Sequence, residues 1–251
     1  MAKTLQKQKY SQEVFMKKLI VLSAFILSAC GGGGDGSSPS APVAPSESTL
    51  SFELNSAATN IYELPHTFYV NGRTQAGLDV SATLSFDPQP EATFEGQLSK
   101  ISRLTFTQRK GNADPVVERF TRFFKFFPLL ITGATASGEK SGFNYFVPTS
   151  TSRLPASANV GSTGPVASGQ FFTDASKRVQ SGTGVITYSV EADTANTAFL
   201  CTHSTFQNTF NTVRATQSEC FRIRPDGTVI GLKLTLGVYD NDTLLETIQF
   251  Q

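Results

Sequence analysis

The chain has no tryptophan, two histidines, two methionines and three cysteines, and charged residues fill only 16% of its 251 positions. Each scarcity removes a class of protein. With no second Cys or His pair near the first, there are too few ligands at recognisable spacing for a structural zinc scaffold. No G-x-S-x-G elbow occurs, so a serine hydrolase of that type has no motif behind it. No apolar run reaches the roughly 18 residues that a membrane-crossing helix needs. Basic excess is missing too. The net charge of +1 includes Lys3, Lys7, Lys9, Lys17 and Lys18 against Glu13 in the first 29 residues; without that segment the remainder carries −3. A nucleic-acid binder normally presents a basic surface, so nucleic acid is not expected as a partner.

What is present at the N-terminus reads as an address. Met16-Lys17-Lys18 precedes the apolar run Leu19–Ala29 and then Cys30, the basic start, short apolar stretch and small residues of an export signal. Leu27-Ser28-Ala29-Cys30 resembles the bacterial lipobox. That resemblance implies cleavage before Cys30, a thioether-linked diacylglycerol on its sulfur and anchoring to a membrane through several acyl chains. Gly31 after the cysteine, rather than Asp, implies sorting to the outer membrane of a Gram-negative envelope. Met1 and Met16 are both candidate starts. Residues 30–48 are Gly-, Ser- and Pro-rich without an aromatic, a composition that cannot offset its ordering entropy. They are expected to form a tether with a reach of roughly 20–25 Å.

The 203 residues from 49 to 251 suffice for a substantial core, burying roughly 70% of their unfolded surface. Phe, Ser, Thr and Gly dominate, and period-2 alternation recurs. Leu78, Val80, Ala82, Leu84 and Phe86 alternate with polar residues until Asp87-Pro88-Gln89-Pro90, which is expected to end the strand. Ile186, Tyr188 and Val190 form a second such set. Ile230, Leu232, Leu234, Leu236 and Val238 form the clearest, between the turns Pro225-Asp226-Gly227 and Asp240-Asn241-Asp242, and a last strand follows from Leu244. No helical period of similar strength appears. The expectation is an all-β antiparallel sandwich or barrel, one domain with two β-rich halves (about 49–150 and 151–251) and a long connection over Pro148–Gly169.

Leu154-Pro155-Ala156 with Val160-Gly161 and Gly164, Glu191-Ala192-Asp193-Thr194, Cys220-Phe221-Arg222-Ile223 and Ala92–Gly96, together with the lipobox, resemble a group of uncharacterised Gram-negative lipoproteins. The resemblance implies the same address and no known activity.

Candidate sites are few. Cys201 and Cys220 form an even pair in an exported chain and are read as a disulfide across a hairpin centred between Phe210 and Asn211. The alternative is a metal site of Cys201, His203 and Cys220. His66 and His203 are read as strand residues, exposed or hydrogen-bonded. Ser137-Gly138-Glu139-Lys140 fits S-x-x-K, but its companion K-T-G is missing. Glu91 and Glu95 could be paired acids for glycoside hydrolysis, yet on one strand they stand about 13 Å apart. Asp240-Asn241-Asp242 resembles part of a calcium loop without its Gly and distal Glu. In Arg119–Phe127, aromatics alternate with cations, a pattern that could stack sugars or bases or form a buried strand guarded by Arg and Lys. No cofactor and no catalytic set is expected. The expected function is a non-catalytic envelope lipoprotein whose β domain binds or supports something, with a surface adhesin or glycan-binding module and a carbohydrate-active or other hydrolase as alternatives.

Overall fold

The structure, a computed structural model, describes residues 48–126, 128–137, 144–240 and 242–251. The lipobox, Cys30, the proposed tether to residue 47, positions 138–140 of the S-x-x-K motif and Asn241 lie outside the described residues. The described residues from 48 to 251 fall in one compact unit, so the two proposed halves are one domain. Ser48, assigned to the tether, belongs to it: the side chain is buried and its hydroxyl donates to the Ala195 carbonyl at 2.9 Å.

The elements in order are β1 (Ser51–Glu53), α1 (Leu54–Glu63), β2 (His66–Thr74), β3 (Asp79–Phe94), β4 (Gln97–Lys110), β5 (Val116–Lys125), β6 (Leu130–Ser137), β7 (Tyr145–Thr151), β8 (Ser157–Asn159), β9 (Thr163–Phe172), β10 (Gln180–Thr194), β11 (Thr197–Asn208), β12 (Val213–Ile223), β13 (Val229–Asp240) and β14 (Thr243–Phe250). Twelve strands, β2–β7 and β9–β14, close into an antiparallel barrel in which chain neighbours are sheet neighbours. The all-β expectation holds, and the barrel is the alternative realised. β1 and β8 pair separately and hold α1 against one end: the amides of Leu54 and Asn55 both donate to the Ala156 carbonyl, and the amide of Glu53 donates to the Pro225 carbonyl.

Alternation sorts each strand. Val80, Ala82, Leu84 and Phe86 point inward and are buried, while Ser81, Thr83 and Ser85 face out, as a sheet solvated on one face requires. Four expectations need correction. Leu78 is exposed and precedes β3. The prolines do not end β3, which runs to Phe94, because beyond Phe86 it has lost β2 as a neighbour and pairs only with β4. On such an edge a missing N–H costs nothing, and Pro90 falls inside a register shift. Ile230 and Val238 are each 43% exposed: Ile230 is the unpaired extra residue of a register shift at the start of β13, and Val238 stands beside a shift whose extra residue is on β14. Pro148–Gly169 is no loose connection: it contains β8 and most of β9, with Leu154 and Val166 buried.

α1 was not expected at all. Leu54, Ala57, Ala58, Ile61 and Tyr62 are its buried residues, the i, i+3, i+4, i+7, i+8 stripe of an amphipathic helix. Its position has a physical reason. An eight-stranded barrel is about as wide as its own side chains can fill, so twelve strands enclose more, and α1 fills one end.

Beyond Gln89 and Lys100, where β4 loses β5 as a neighbour, the tip of the β3–β4 hairpin extends as an arm. Glu95 and Gly96 both have positive φ (48° and 75°), the two-residue turn that matches strand twist. Phe94 stacks on Phe123 at 4.4 Å and on Tyr145 at 5.1 Å. It occupies the space over Gly133, where a Cβ would meet its ring at 2.0 Å. There, among the described residues, β6 and β7 share two Cα pairs, Ala134 with Phe146 and Thr135 with Tyr145, so the arm covers a thinly paired stretch of wall. Its tip is latched: the Glu95 carboxylate accepts from Lys177 and, at 2.7 Å, from the Tyr145 hydroxyl.

The latch carries a pH signature. The Lys177 and Tyr145 hydrogen bonds hold the Glu95 carboxyl below its ordinary range, while burial, reinforced by Glu95, pushes the Tyr145 phenol up to about 12. A lowered acid contributes above its ordinary pKa and loses that contribution as pH falls through the folded value. A raised phenol contributes below about 10 and loses it as pH climbs toward the folded value. The arm is therefore expected to hold across the neutral range and release at both extremes. In an ultraviolet phenol titration, Glu95→Gln should bring the Tyr145 transition earlier while Tyr62 stays late. An unmoved profile would break the latch assignment.

Candidate functional site

The interior that α1 does not fill remains as a cavity of about 230 Å³. β5 contributes Phe120 and Arg122, β7 Phe146, β9 Phe171 and β11 Phe206, while the small side chains of Ala134 and Ala136 on β6 and Ala215 on β12 leave the space open. Phe146 and Phe171 pack at 4.8 Å between centroids and Phe171 and Phe206 at 5.4 Å. Gly184 on β10 is what lets Phe171 lie there, because a Cβ at 184 would come within 2.5 Å of that ring. A smaller hollow of about 40 Å³ adjoins it, sharing Phe120 and Gln217.

One side of the cavity is polar. The Arg122 guanidinium donates to both oxygens of Glu219, at 2.8 Å from Nη1 and 2.5 Å from Nη2, and Nη1 also donates to the Tyr62 hydroxyl at 3.4 Å. Gln217 donates its amide to Glu219 Oε1 at 2.6 Å. The Glu219 side chain is 2% exposed and that of Arg122 23%; Arg122 lines the larger cavity, whereas Glu219 lines the smaller hollow together with Glu118. Burial works against the charge on Arg122, but Glu219 and Tyr62 outweigh it and hold the guanidinium protonated beyond its ordinary range. Burial is also the main reason the Tyr62 phenol is raised, which keeps it neutral and able to donate. Thr202 and Ser204 add hydroxyls to the lining.

The residues anticipated from sequence lie elsewhere. His66 Nε2 donates to the Asn60 carbonyl at 2.6 Å and its ring stacks on Phe68, closing the C-terminal turn of α1. On the outer wall, His203 Nε2 lies 2.8 Å from Ser189 Oγ and Nδ1 lies 2.9 Å from Ser218 Oγ. A triad would need an acid on Nδ1, yet Glu191 accepts from Ser189 instead. Glu91 pairs with Lys100 and Glu95 with Lys177, so the two acids serve separate cations. Asp240 pairs with Arg214, and Asp242 accepts from the Val213 amide; both tie turns together. The run from Arg119 is neither a stacking platform nor a guarded strand throughout, because Arg122 points inward with Phe120 and Phe124.

Cys201 and Cys220 stand directly opposite on β11 and β12 with their sulfurs bonded, in the hairpin register expected. Glu191 lies close enough to make a three-ligand group with them, but bonded sulfurs are not thiolate ligands, which leaves the metal reading without its donors. Thiol alkylation of the unreduced, denatured chain should label neither cysteine. Quantitative labelling of both would reject the bridge and restore the metal alternative.

No family model, curated protein or solved structure matches the chain.

Sequence reasoning missed Arg122, Glu219 and Tyr62. A signal existed: on β5 and β12 a charged residue sits at the parity of inward aromatics, Arg122 between Phe120 and Phe124 and Glu219 two before Phe221. Opposite charges at inward parity on two strands mark a buried pair.

Proposed function

We propose that the chain is a cell-envelope lipoprotein, anchored to the outer membrane through Cys30, whose barrel holds a small, mainly apolar ligand without acting on it chemically. The cavity of about 230 Å³ beside the Arg122–Glu219 pair carries this reading. Binding pockets are concave, mostly apolar and fitted with a few placed polar groups. A dry apolar cavity of about 150 Å³ takes up benzene, and this one is half again as large, the size of a fused or substituted single ring. The lipobox and the likeness to uncharacterised Gram-negative lipoproteins support the address. The outer wall mixes Ser81, Thr83, Thr105, Thr187, Ser218 and Thr235 with exposed Tyr69 and Val185, not the continuous apolar band that a membrane-spanning barrel turns outward. A hydrolase or glycan module has less behind it, since the acids considered for it are bound to separate lysines.

Two measurements test the two parts. Cys30→Ser should leave the protein in the soluble fraction and without acyl mass; membrane retention of that variant would end the anchor. On the unlipidated full-length chain, indane should raise the melting temperature by binding the native state, and Ala134→Phe, which fills the space, should abolish the rise. Equal responses in both proteins would end the cavity reading.

A further inference from the structure

Resting on that reading, we infer that the ligand is an uncharged ring compound bearing one hydrogen-bond acceptor, seated with the acceptor on the Arg122 guanidinium and the ring among Phe146, Phe171 and Phe206. The geometry divides the cavity into two functions. The aromatic side offers ring edges and faces with centroids 4.8 and 5.4 Å apart, spacings at which aromatic groups pack favourably. The polar side offers donors in excess of acceptors. Arginine carries five N–H groups and no acceptor; three bonds go to Glu219 and Tyr62, and the remaining N–H groups belong to the partly exposed member of the pair.

Charge decides between acceptors. An anionic ligand would meet a cation already neutralised by Glu219 and would bring a second carboxylate toward a buried one, as two carboxylates in one site repel. In the larger cavity a cation would meet the guanidinium, because Glu219 lines the adjoining hollow instead and has both oxygens occupied. A neutral carbonyl or ether oxygen incurs neither cost and gains a hydrogen bond to a charged donor, the stronger kind. An acceptor-free ring leaves that donor facing apolar carbon, and such an unpaired group is penalised.

Three ligands on one indane skeleton test this on the unlipidated full-length chain by calorimetry: indane, 1-indanone and indane-1-carboxylate. The ketone is expected to bind at least about tenfold tighter than either of the others, and its carbonyl carbon resonance should move downfield on binding. In Arg122→Met/Glu219→Leu, which removes both charges together, the tenfold preference and the resonance shift should vanish while indane affinity holds or rises, the unpaired donor being gone. Equal binding of indane and ketone to the wild type, tightest binding of the carboxylate, or a preference that survives in the double variant would each overturn the inference. An unshifted carbonyl resonance in the wild type would do so even where the double variant fails to fold. Failure of all three ligands to bind the wild type would instead reject the cavity reading beneath it.

Discussion

Arg122→Met is expected to lower stability by about 3–5 kcal/mol, whereas adding Glu219→Leu to it should recover most of that loss. The asymmetry follows from burial. With Arg122 gone, the donor left to Glu219 among the described residues is the Gln217 amide, at a site where its side chain is 2% exposed. An isolated buried carboxylate either holds an uncompensated charge or takes up a proton. In the double variant no charge is left alone, and apolar side chains of similar size are tolerated about as well as the pair. Urea midpoints for the wild type and both variants measure this directly. A loss of 3–5 kcal/mol is a large share of the 5–15 kcal/mol that holds a typical domain folded. If the single and double variants were equally destabilised, the cost would come from packing around Arg122, and the ion pair would not be what organises the polar side of the cavity.

How far the sequence reveals these features depends on how local each one is. Val80–Phe86 and the middle of β13 were legible because burying one face of a strand writes a period of two into adjacent residues. The Cys201–Cys220 pairing was legible for the same reason, since one hairpin places both. Helix α1 was obscured by its own composition: two of its five buried residues are Ala57 and Ala58, which hardly stand out on a hydrophobic pattern. Sandwich and barrel could not be told apart, because closure rests on contacts between strands distant in sequence, such as the three Cα pairs joining β14 to β2. Arg122 and Glu219 lie 97 positions apart, and only the barrel brings them together. The prolines of β3 misled because whether an N–H is needed depends on a neighbouring strand, and β2 stops pairing at Phe86.

At position 234, introducing Asp should be far more damaging than at 233 or 235. Leu234 is 2% exposed and sits between Glu219 on β12 and Phe250 on β14. An Asp there is buried among apolar side chains and stands directly across from an existing carboxylate, and like charges opposite one another on neighbouring strands repel. Burying an unpaired charge costs several kcal/mol, or forces protonation or water entry. Lys233 faces out, but it is not idle: its Nζ lies 3.8 Å from the Phe199 ring centroid, so Lys233→Asp should lose about 0.5–1 kcal/mol of cation–π attraction. Thr235 is a half-buried residue of the outer wall opposite Ser218, and Thr235→Asp should stay within about 0.5 kcal/mol of the wild type. The expected order of loss is 234, then 233, then 235, with a wide gap after the first. The introduced residue is the same in all three, so only facing can produce that order. Thermal melts of the three unlipidated full-length variants would read it. Comparable losses at all three positions would mean that β13 is buried on both faces, and tolerance at 234 would place that residue on the solvent side and undo the inward assignment on which the cavity wall depends.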